Sequence, residues 1–355
     1  MYTDAETDLI ILSSIEELSY KHRNLLLLQM QSEKPDFKKF ESVLIKSLSV
    51  GVYNKIRNKF SDDGFRRKLL SELEKKQITC VTYFSENYPA FLKETPFPPT
   101  VLFCKGNIGL LKTRCFSVVG SRRSTEGALT ACRKICKDLT RNFTVVTGLA
   151  DGADSSAIAG AVESGKCISV LAHGFDYTYP AVNEALKNKV GEKGLLISEY
   201  PPFTKPRKYM FPVRNRIIAG ISEATLVVSA AERSGALITA EYALEYGRTL
   251  FAFPYGIGVS SGKGCNSLIK KGALLTENIL DIFSVFGLDF KISEPERLSA
   301  DEKTLLEIVR RSGEAFVGAV AAEMNRQPYE LIPLISSLEI KRLIVSVGGN
   351  RYAAL

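Results

Sequence analysis

Apolar residues return at different periods in three successive stretches of the chain. Over residues 1–76 the period is helical: Leu9, Leu12, Ile15 and Leu18 recur three apart, and Phe37, Phe40, Val43, Leu44 and Leu48 continue the pattern. Breaks fall at Pro35, Gly51 and the Asp62-Asp63-Gly64 turn, and Asp63 opens a last helix near Leu69–Leu73. This predicts a bundle of short helices. It reads as a scaffold, because no DNA-binding helical hairpin is recognisable in it.

From Ile78 the pattern changes to short apolar runs separated by amphipathic stretches. Ile78–Phe84, Val101–Cys104, Phe116–Val119, Thr144–Thr147, Ile168–Leu171, Leu195–Ser198, Ala224–Val228 and Thr249–Phe253 read as strands. Helices are predicted at Glu126–Thr140, Ala153–Ser164, Ala181–Lys189, Arg214–Ala219 and Leu237–Tyr246. Near-continuous apolar strands alternating with helices predict an α/β fold with a doubly wound, mainly parallel sheet, whose ligands sit on loops at the strands' carboxyl ends.

Beyond Phe290, a linker-like Ser293-Glu294-Pro295-Glu296 precedes three predicted helices, Thr304–Arg311, Phe316–Met324 and Tyr329–Leu338. A hairpin follows around Gly348-Gly349-Asn350. That order resembles a winged helix. Domains are therefore expected at 1–77, 78–290 and 297–355.

Composition narrows the class. With 355 residues, 45% apolar and 24% charged, the chain suits a multi-domain globular protein. No run approaches the roughly 18 apolar residues of a membrane helix, and the first residues lack the basic region of a signal peptide. Seven cysteines with no C-x-x-C pair fit free thiols in a reducing cytoplasm, and Cys132 and Cys136 read as small helix residues. Only His22 and His173 are available for histidine chemistry; no metal or cofactor is expected.

The net charge of +8 is unevenly placed. Residues 114–290 hold 21 basic and 16 acidic groups, whereas residues 291–355 hold 9 of each. Eight basic residues crowd 187–216, among them Lys187, Lys205, Arg207, Lys208, Arg214 and Arg216. Phe175, Tyr177, Tyr179, Tyr200, Phe203, Tyr209 and Phe211 interleave with them. Aromatic faces that stack on unpaired bases beside cations that track phosphates are the equipment of single-strand binders. The structural alternative places about half of these rings in the core, and Arg214 or Arg216 in an ion pair with Glu199 or Glu223. The neutral third stretch favours a protein contact or weak DNA contact over groove reading.

Gly120-Ser121-Arg122-Arg123-Ser124 follows the first central strand and runs into a helix N-terminus, a natural anion site. Its next glycine, Gly127, is too far on for a dinucleotide fingerprint. Gly258-Val259-Ser260-Ser261-Gly262 looks like a nucleophile elbow, but no histidine lies downstream of it. The same segment fails as a phosphate loop, because its glycines are one residue too close and Gly264 replaces the hydroxyl residue. Asn142-Phe143-Thr144 would be a glycosylation site only in a secreted protein.

One ordered set of motifs does carry a resemblance. It runs through Gly120-Ser121-Arg122, Thr147-Gly148-Leu149-Ala150, Gly174-Phe175-Asp176, Tyr179-Pro180 with Asn183, and Ser198-Glu199-Tyr200. It continues through Phe211-Pro212-Val213-Arg214-Asn215-Arg216, Ser234-Gly235-Ala236-Leu237-Ile238-Thr239-Ala240, Pro254, Gly264-Cys265-Asn266-Ser267 and Gly272-Ala273. Over about residues 80–285 this resembles the DNA-processing protein A (Smf) family. The resemblance implies an extended Rossmann-like domain flanked by an N-terminal helical, SAM-like domain and a C-terminal winged-helix-like domain. It further implies a homodimer that binds single-stranded DNA and loads a RecA-type recombinase in natural transformation or related recombination, without catalysis.

The nucleic-acid-binding residues expected on this basis are Gly120, Ser121, Arg122, Arg123, Tyr179, Asn183, Lys205, Lys208, Phe211, Arg214, Asn215, Arg216, Ser234, Gly235, Thr239 and Asn266. The chain departs from the family pattern at Asp151 and Ile158, where Arg and His are usual, at Ala181 in place of Lys, and at Ser229 in place of an acid. The alternative function is a Rossmann-like phosphoribohydrolase acting on nucleoside monophosphates. Its P-G-G-x-G-T-x-x-E run is replaced here by Pro254-Tyr255-Gly256-Ile257-Gly258-Val259. A transcription factor is the third reading, weakened by the neutral C-terminal stretch.

Overall fold

The apolar runs of the middle stretch are strands without an exposed face. Thr144–Thr147 and Leu195–Ser198 are buried at every position, as strands are when helices cover both sides of a sheet. The computed structural model describes residues 2–30, 45–46, 48–288, 298–341 and 343–354. Phe37, Phe40, Val43 and Leu44 of the helical pattern, and the expected linker at 293–296, lie outside the described residues. By contacts the chain falls into two compact units, Met1–Gly287 and Leu288–Leu355.

In the first unit, β1 (Thr79–Thr82), β2 (Val101–Gly106), β3 (Cys115–Val119), β4 (Thr144–Thr147), β5 (Cys167–Leu171), β6 (Leu195–Ser198), β7 (Ala224–Val227), β8 (Thr249–Ala252) and β9 (Leu274–Leu275) form one sheet. Their order is β1-β2-β6-β5-β4-β3-β7-β8-β9. From β6 to β9 neighbouring strands are parallel, and β2 and β1 extend the sheet antiparallel. The chain winds from β3 through β4 and β5 to β6, then returns to lay β7 on the other side of β3. Loops leaving β3 and β7 thus diverge, and the crevice between them is the ligand position of such sheets.

Two elements differ from the expected pattern in ways that matter below. The helix expected from Arg214 begins at Met210 and runs to Ile221. Pro212 does not prevent this, because the first turn of a helix has no N–H to lose. Phe316, expected to open a helix, lies instead in a short strand of the second unit.

The N-terminal helices Asp4–Ser13, Tyr20–Met30, Val50–Phe60 and Asp63–Lys75 belong to the first unit. Asp62 caps the last of them, its Oδ1 accepting from the Gly64 and Phe65 N–H groups at 2.8 and 3.1 Å. They are fastened to the sheet by polar contacts. The Ser13 and Thr100 hydroxyls meet at 2.7 Å, Asn24 Nδ2 donates to the Pro98 carbonyl at 3.3 Å, and the Cys80 N–H donates to Tyr2 Oη at 2.8 Å.

The second unit has its own core around Leu305, Leu306, Val309, Leu331 and Leu338. Its order is helix Ala300–Ser312, β10 (Glu314–Phe316), helices Val317–Glu323 and Pro328–Ile340, and hairpin β11 (Ile344–Gly348) and β12 (Arg351–Ala354). The three strands pair antiparallel in the order β10-β12-β11. Among the described residues no helix is long and apolar enough to cross a membrane.

Candidate nucleic-acid interface

The loop after β3 is held by its neighbour after β7. The Ser121 N–H donates to the Ser229 carbonyl at 2.8 Å and to its Oγ at 3.1 Å, and the Ser124 and Ser229 hydroxyls are in contact. Ser121 Oγ accepts from the Arg123 N–H at 3.1 Å. Thr125 then caps the helix Glu126–Leu139. These bonds leave the Arg122 and Arg123 side chains exposed. Ser229, standing where the family usually has an acid, is thus a neutral latch for the candidate anion loop.

The loop after β4 packs on this one. Gly152 has φ +77°, and a Cβ there would sit 2.6 Å from the Ser121 and Arg122 carbonyl oxygens, so only glycine fits. Asp151 is exposed and its Oδ1 accepts from the Gly152 N–H at 2.9 Å. Asp154 lies beneath, accepting from the Gly148 and Ala150 N–H groups at 3.1 and 3.2 Å. Burial raises its carboxyl above the ordinary aspartate range, against the pull of Arg214. Ile158, at the family's usual histidine position, is a fully buried core residue.

From the loop after β5, Tyr179 is 45% exposed. The Arg122 guanidinium lies 5.7 Å from its ring centroid, and the half-buried Phe211 ring lies 5.2 Å from it. Arg122, Tyr179 and Phe211 are therefore brought together. Ser234 caps the helix Gly235–Glu245, and Asn215 Nδ2 donates to the Gly235 carbonyl at 3.3 Å. Lys205 and Lys208 are exposed on the connection from β6.

Several expected ligand residues face inward instead. Arg216, 2% exposed, donates to Glu199 Oε1 at 2.5 Å and to the Phe97 carbonyl at 2.7 Å, and lies over the Tyr20 ring. This is the ion pair with Glu199 held open above; Glu223 pairs with Arg114. Arg214, 4% exposed, donates to the Gly148 carbonyl at 2.7 Å and to the Val170 carbonyl. Burial pushes it down to about 10, with Asp154 opposing. A Cβ on Gly148 would lie 2.4 Å from that guanidinium. Asn183 is buried and donates to the Leu149 carbonyl at 3.1 Å.

Thr239 is buried in its helix, and Asn266 holds both polar groups of the Tyr255 backbone, at 3.0 and 2.8 Å. Lys187 is buried against the Phe175 and Tyr177 carbonyls at 2.5 and 2.6 Å, and burial lowers its pKa. These residues build the site's frame rather than its surface.

One exposed cation was not among the expected residues. Arg233 lies on the loop after β7, one residue before the Ser234 cap. Its place beside a recognised motif was the available signal. Arg123, Lys205, Lys208 and Arg233 have no acidic partner among the described residues, whereas Arg207 pairs with Glu16 at 3.1 Å. The loops after β3 and β5 thus present Arg122 beside the exposed Tyr179 ring, with Arg123 next to them, over a tightly bonded floor.

Comparison with known proteins agrees with this architecture. A family model described as DNA recombination-mediator protein A matches residues 79–287. DNA processing protein DprA of Bacillus subtilis is 39% identical over 219 residues, 61% of this chain and 74% of that protein. Protein Smf of Escherichia coli is 37% identical over 292 residues, 78% of each. Among solved structures, DNA processing protein A of Streptococcus pneumoniae aligns with a TM-score of 0.71 and 30% identity, covering 82% of this chain and 99% of its own. The Helicobacter pylori protein of that name, which has a single-stranded DNA binding mode, aligns with a TM-score of 0.54 and 28% identity over 59% of this chain and 95% of its own. The chain belongs to the DNA recombination-mediator protein A family.

Proposed function

We propose that the first unit is a non-catalytic, single-stranded-DNA-binding module that passes its strand to a RecA-type recombinase. The observation that carries this reading is the pairing of Arg122 with the exposed Tyr179 ring, beside an unpaired Arg123, at the sheet's switch point. A guanidinium can fork onto phosphate while the ring stacks on an unpaired base. The H. pylori relative, which binds single-stranded DNA, supports the same reading.

The second unit we read as a winged helix used for protein contact. Its helix Pro328–Ile340 exposes Tyr329 and Ile332 and contains no basic residue, a poor equipment for a groove lined by phosphates. Seven buried free thiols suit a reducing cytoplasm. A homodimer is part of the proposal, and sedimentation at micromolar concentration should give a species of twice 39.2 kDa.

Titration with single- and double-stranded oligonucleotides at two salt concentrations tests the central reading. Single strands should bind more tightly, with a log–log salt slope of roughly −0.7 per phosphate contact. Recombinase filaments should also assemble faster on single-stranded DNA when the protein is added. Equal affinity for both strand forms refutes strand selectivity, and release of free base from a nucleoside monophosphate would replace the binding reading with the phosphoribohydrolase one.

A further inference from the structure

The loop after β5, which carries Tyr179, is held in two places. At its root the Gly174 N–H donates to the Thr204 carbonyl at 2.9 Å and the Asp176 N–H to the Pro202 carbonyl at 3.0 Å. The Asp176 carboxylate also accepts from Lys76 of the N-terminal helices, at 2.8 and 2.7 Å. The tip is held by another lysine. Lys187 Nζ donates to the Phe175 carbonyl at 2.5 Å, to the Tyr177 carbonyl at 2.6 Å and to Thr178 Oγ1 at 3.4 Å. An ammonium has three donors and no acceptor, so these groups use it fully. Among the described residues, every hydrogen bond that reaches residues 177–179 from outside the loop comes from Lys187. Lys187 is 7% exposed and pairs with no carboxylate among the described residues. A buried charge is costly unless hydrogen-bonded, and bonds to a charged donor are the stronger kind. Lys187 lies on the helix Glu184–Lys193, so its bonds close residues 175–187 into a ring.

We propose that Lys187 is a positioning residue for strand binding: its ammonium fixes residues 175–178 so that the Tyr179 ring is set for a base to stack on it. This rests on the single-strand reading above. Tyr179 is the residue next to the last acceptor, and its ring meets the Phe211 ring at 5.2 Å and the Arg122 guanidinium at 5.7 Å. Those neighbours are side chains that can turn aside, whereas the ammonium grips backbone. Without it the Phe175 and Tyr177 carbonyls lose their partner, and the segment must rearrange to pair them. A ring already held in its bound orientation costs less ordering when a base stacks on it. The buried ammonium offers nothing to a phosphate, unlike the exposed Lys205 and Lys208. Lys187 thus acts through the ring and not on the strand.

A double-mutant cycle with Tyr179 in the full-length protein separates this role from a general structural one. Anisotropy of a labelled 12-residue oligonucleotide gives strand affinity, and circular dichroism checks that each variant is folded. Tyr179→Ala should weaken binding about tenfold, within the range of a lost base stack. Lys187→Met should weaken it by a similar factor or less, and the double variant should be no weaker than Tyr179→Ala alone. Lys187→Met should leave binding of a strand made abasic throughout unchanged, and also the log–log salt slope, because no phosphate contact is lost. Losses that multiply in the double variant, no loss in either single variant, or a slope shallower by roughly 0.7 in Lys187→Met each overturn the proposal. If Lys187→Met does not fold, Lys187→Gln, which keeps two donors, takes its place. Failure of both makes Lys187 a folding determinant and overturns a role exerted through the ring. The chain has no tryptophan, so Tyr179→Trp gives a second readout that needs no ligand. Its time-resolved anisotropy should show freer local motion once Lys187→Met is added, and unchanged motion overturns the proposal. Absence of strand binding by the parent chain overturns the function proposed above, and the tryptophan readout then decides the positioning alone.

Discussion

The loop Gly120–Ser124 and the helix Met210–Ile221 each carry two arginines, and the fold uses them in opposite ways. Arg122 and Arg123 stand on backbone fixed from beneath by Ser229, and their guanidinium groups remain at the surface. Arg214 and Arg216 are themselves the fixing groups, one under the loop after β4 and one against Glu199. An arginine in a shared motif is therefore not by itself a ligand contact. Whether it meets the ligand depends on whether its donors have already been used by the protein.

The largest effect should come from Arg216→Leu, which strands the Glu199 carboxylate in a buried site. Breaking a buried pair from one side costs about 3–5 kcal/mol, and a urea titration should show it as a lowered midpoint. Next comes Gly148→Ala, whose methyl would press on the Arg214 guanidinium. Overpacking of this kind costs about 1–3 kcal/mol, so the same titration should rank it below Arg216→Leu. If it proves neutral, Arg214 is less firmly seated than its contacts imply.

Arg122→Ala should reverse the pattern. Stability should stay within about 0.5 kcal/mol, as for most surface changes. Affinity for single strands should fall for all sequences alike, and the salt slope should shallow by roughly 0.7. A folded variant with unchanged affinity and slope would falsify the assignment of this loop. The smallest effect is expected from removing residues 295–355. The 9 basic and 9 acidic groups of residues 291–355 leave the second unit no electrostatic footprint, so single-strand affinity should hold within a few-fold.

The geometry of the loop after β3 was legible because a strand, a turn and a helix start follow one another in the sequence at Phe116–Glu126. The orientation of Arg214 and Arg216 was not legible, and the reason is where their helix begins. Starting it at Arg214 puts both at an open N-terminus, whereas starting it at Met210 places them in later turns. Two residues apart on a helix means roughly 200° of rotation, so the pair cannot share one face. Asn266 and Thr239 face inward for a related cause: their partners, the Tyr255 backbone and the surrounding core, are set by tertiary packing that periodicity does not encode. The sheet itself was readable from uniformly apolar runs, except β9, whose two residues are too short to show a period.

The fastening of the first helices to the sheet has a consequence for how the molecule comes apart. Arg23 donates to the Glu199 backbone carbonyl, and the Glu199 carboxylate accepts from Arg216, so a run of buried polar contacts joins the N-terminal helices to the sheet layer. Groups buried in this way cannot be parted without leaving donors or acceptors unpaired. The helix Tyr20–Met30 and the strands around β6 should therefore open together. In native-state hydrogen exchange, the amides of both would share one opening free energy rather than two. The helices Asp4–Ser13 and Tyr20–Met30 should then exchange as part of one foldon with the sheet.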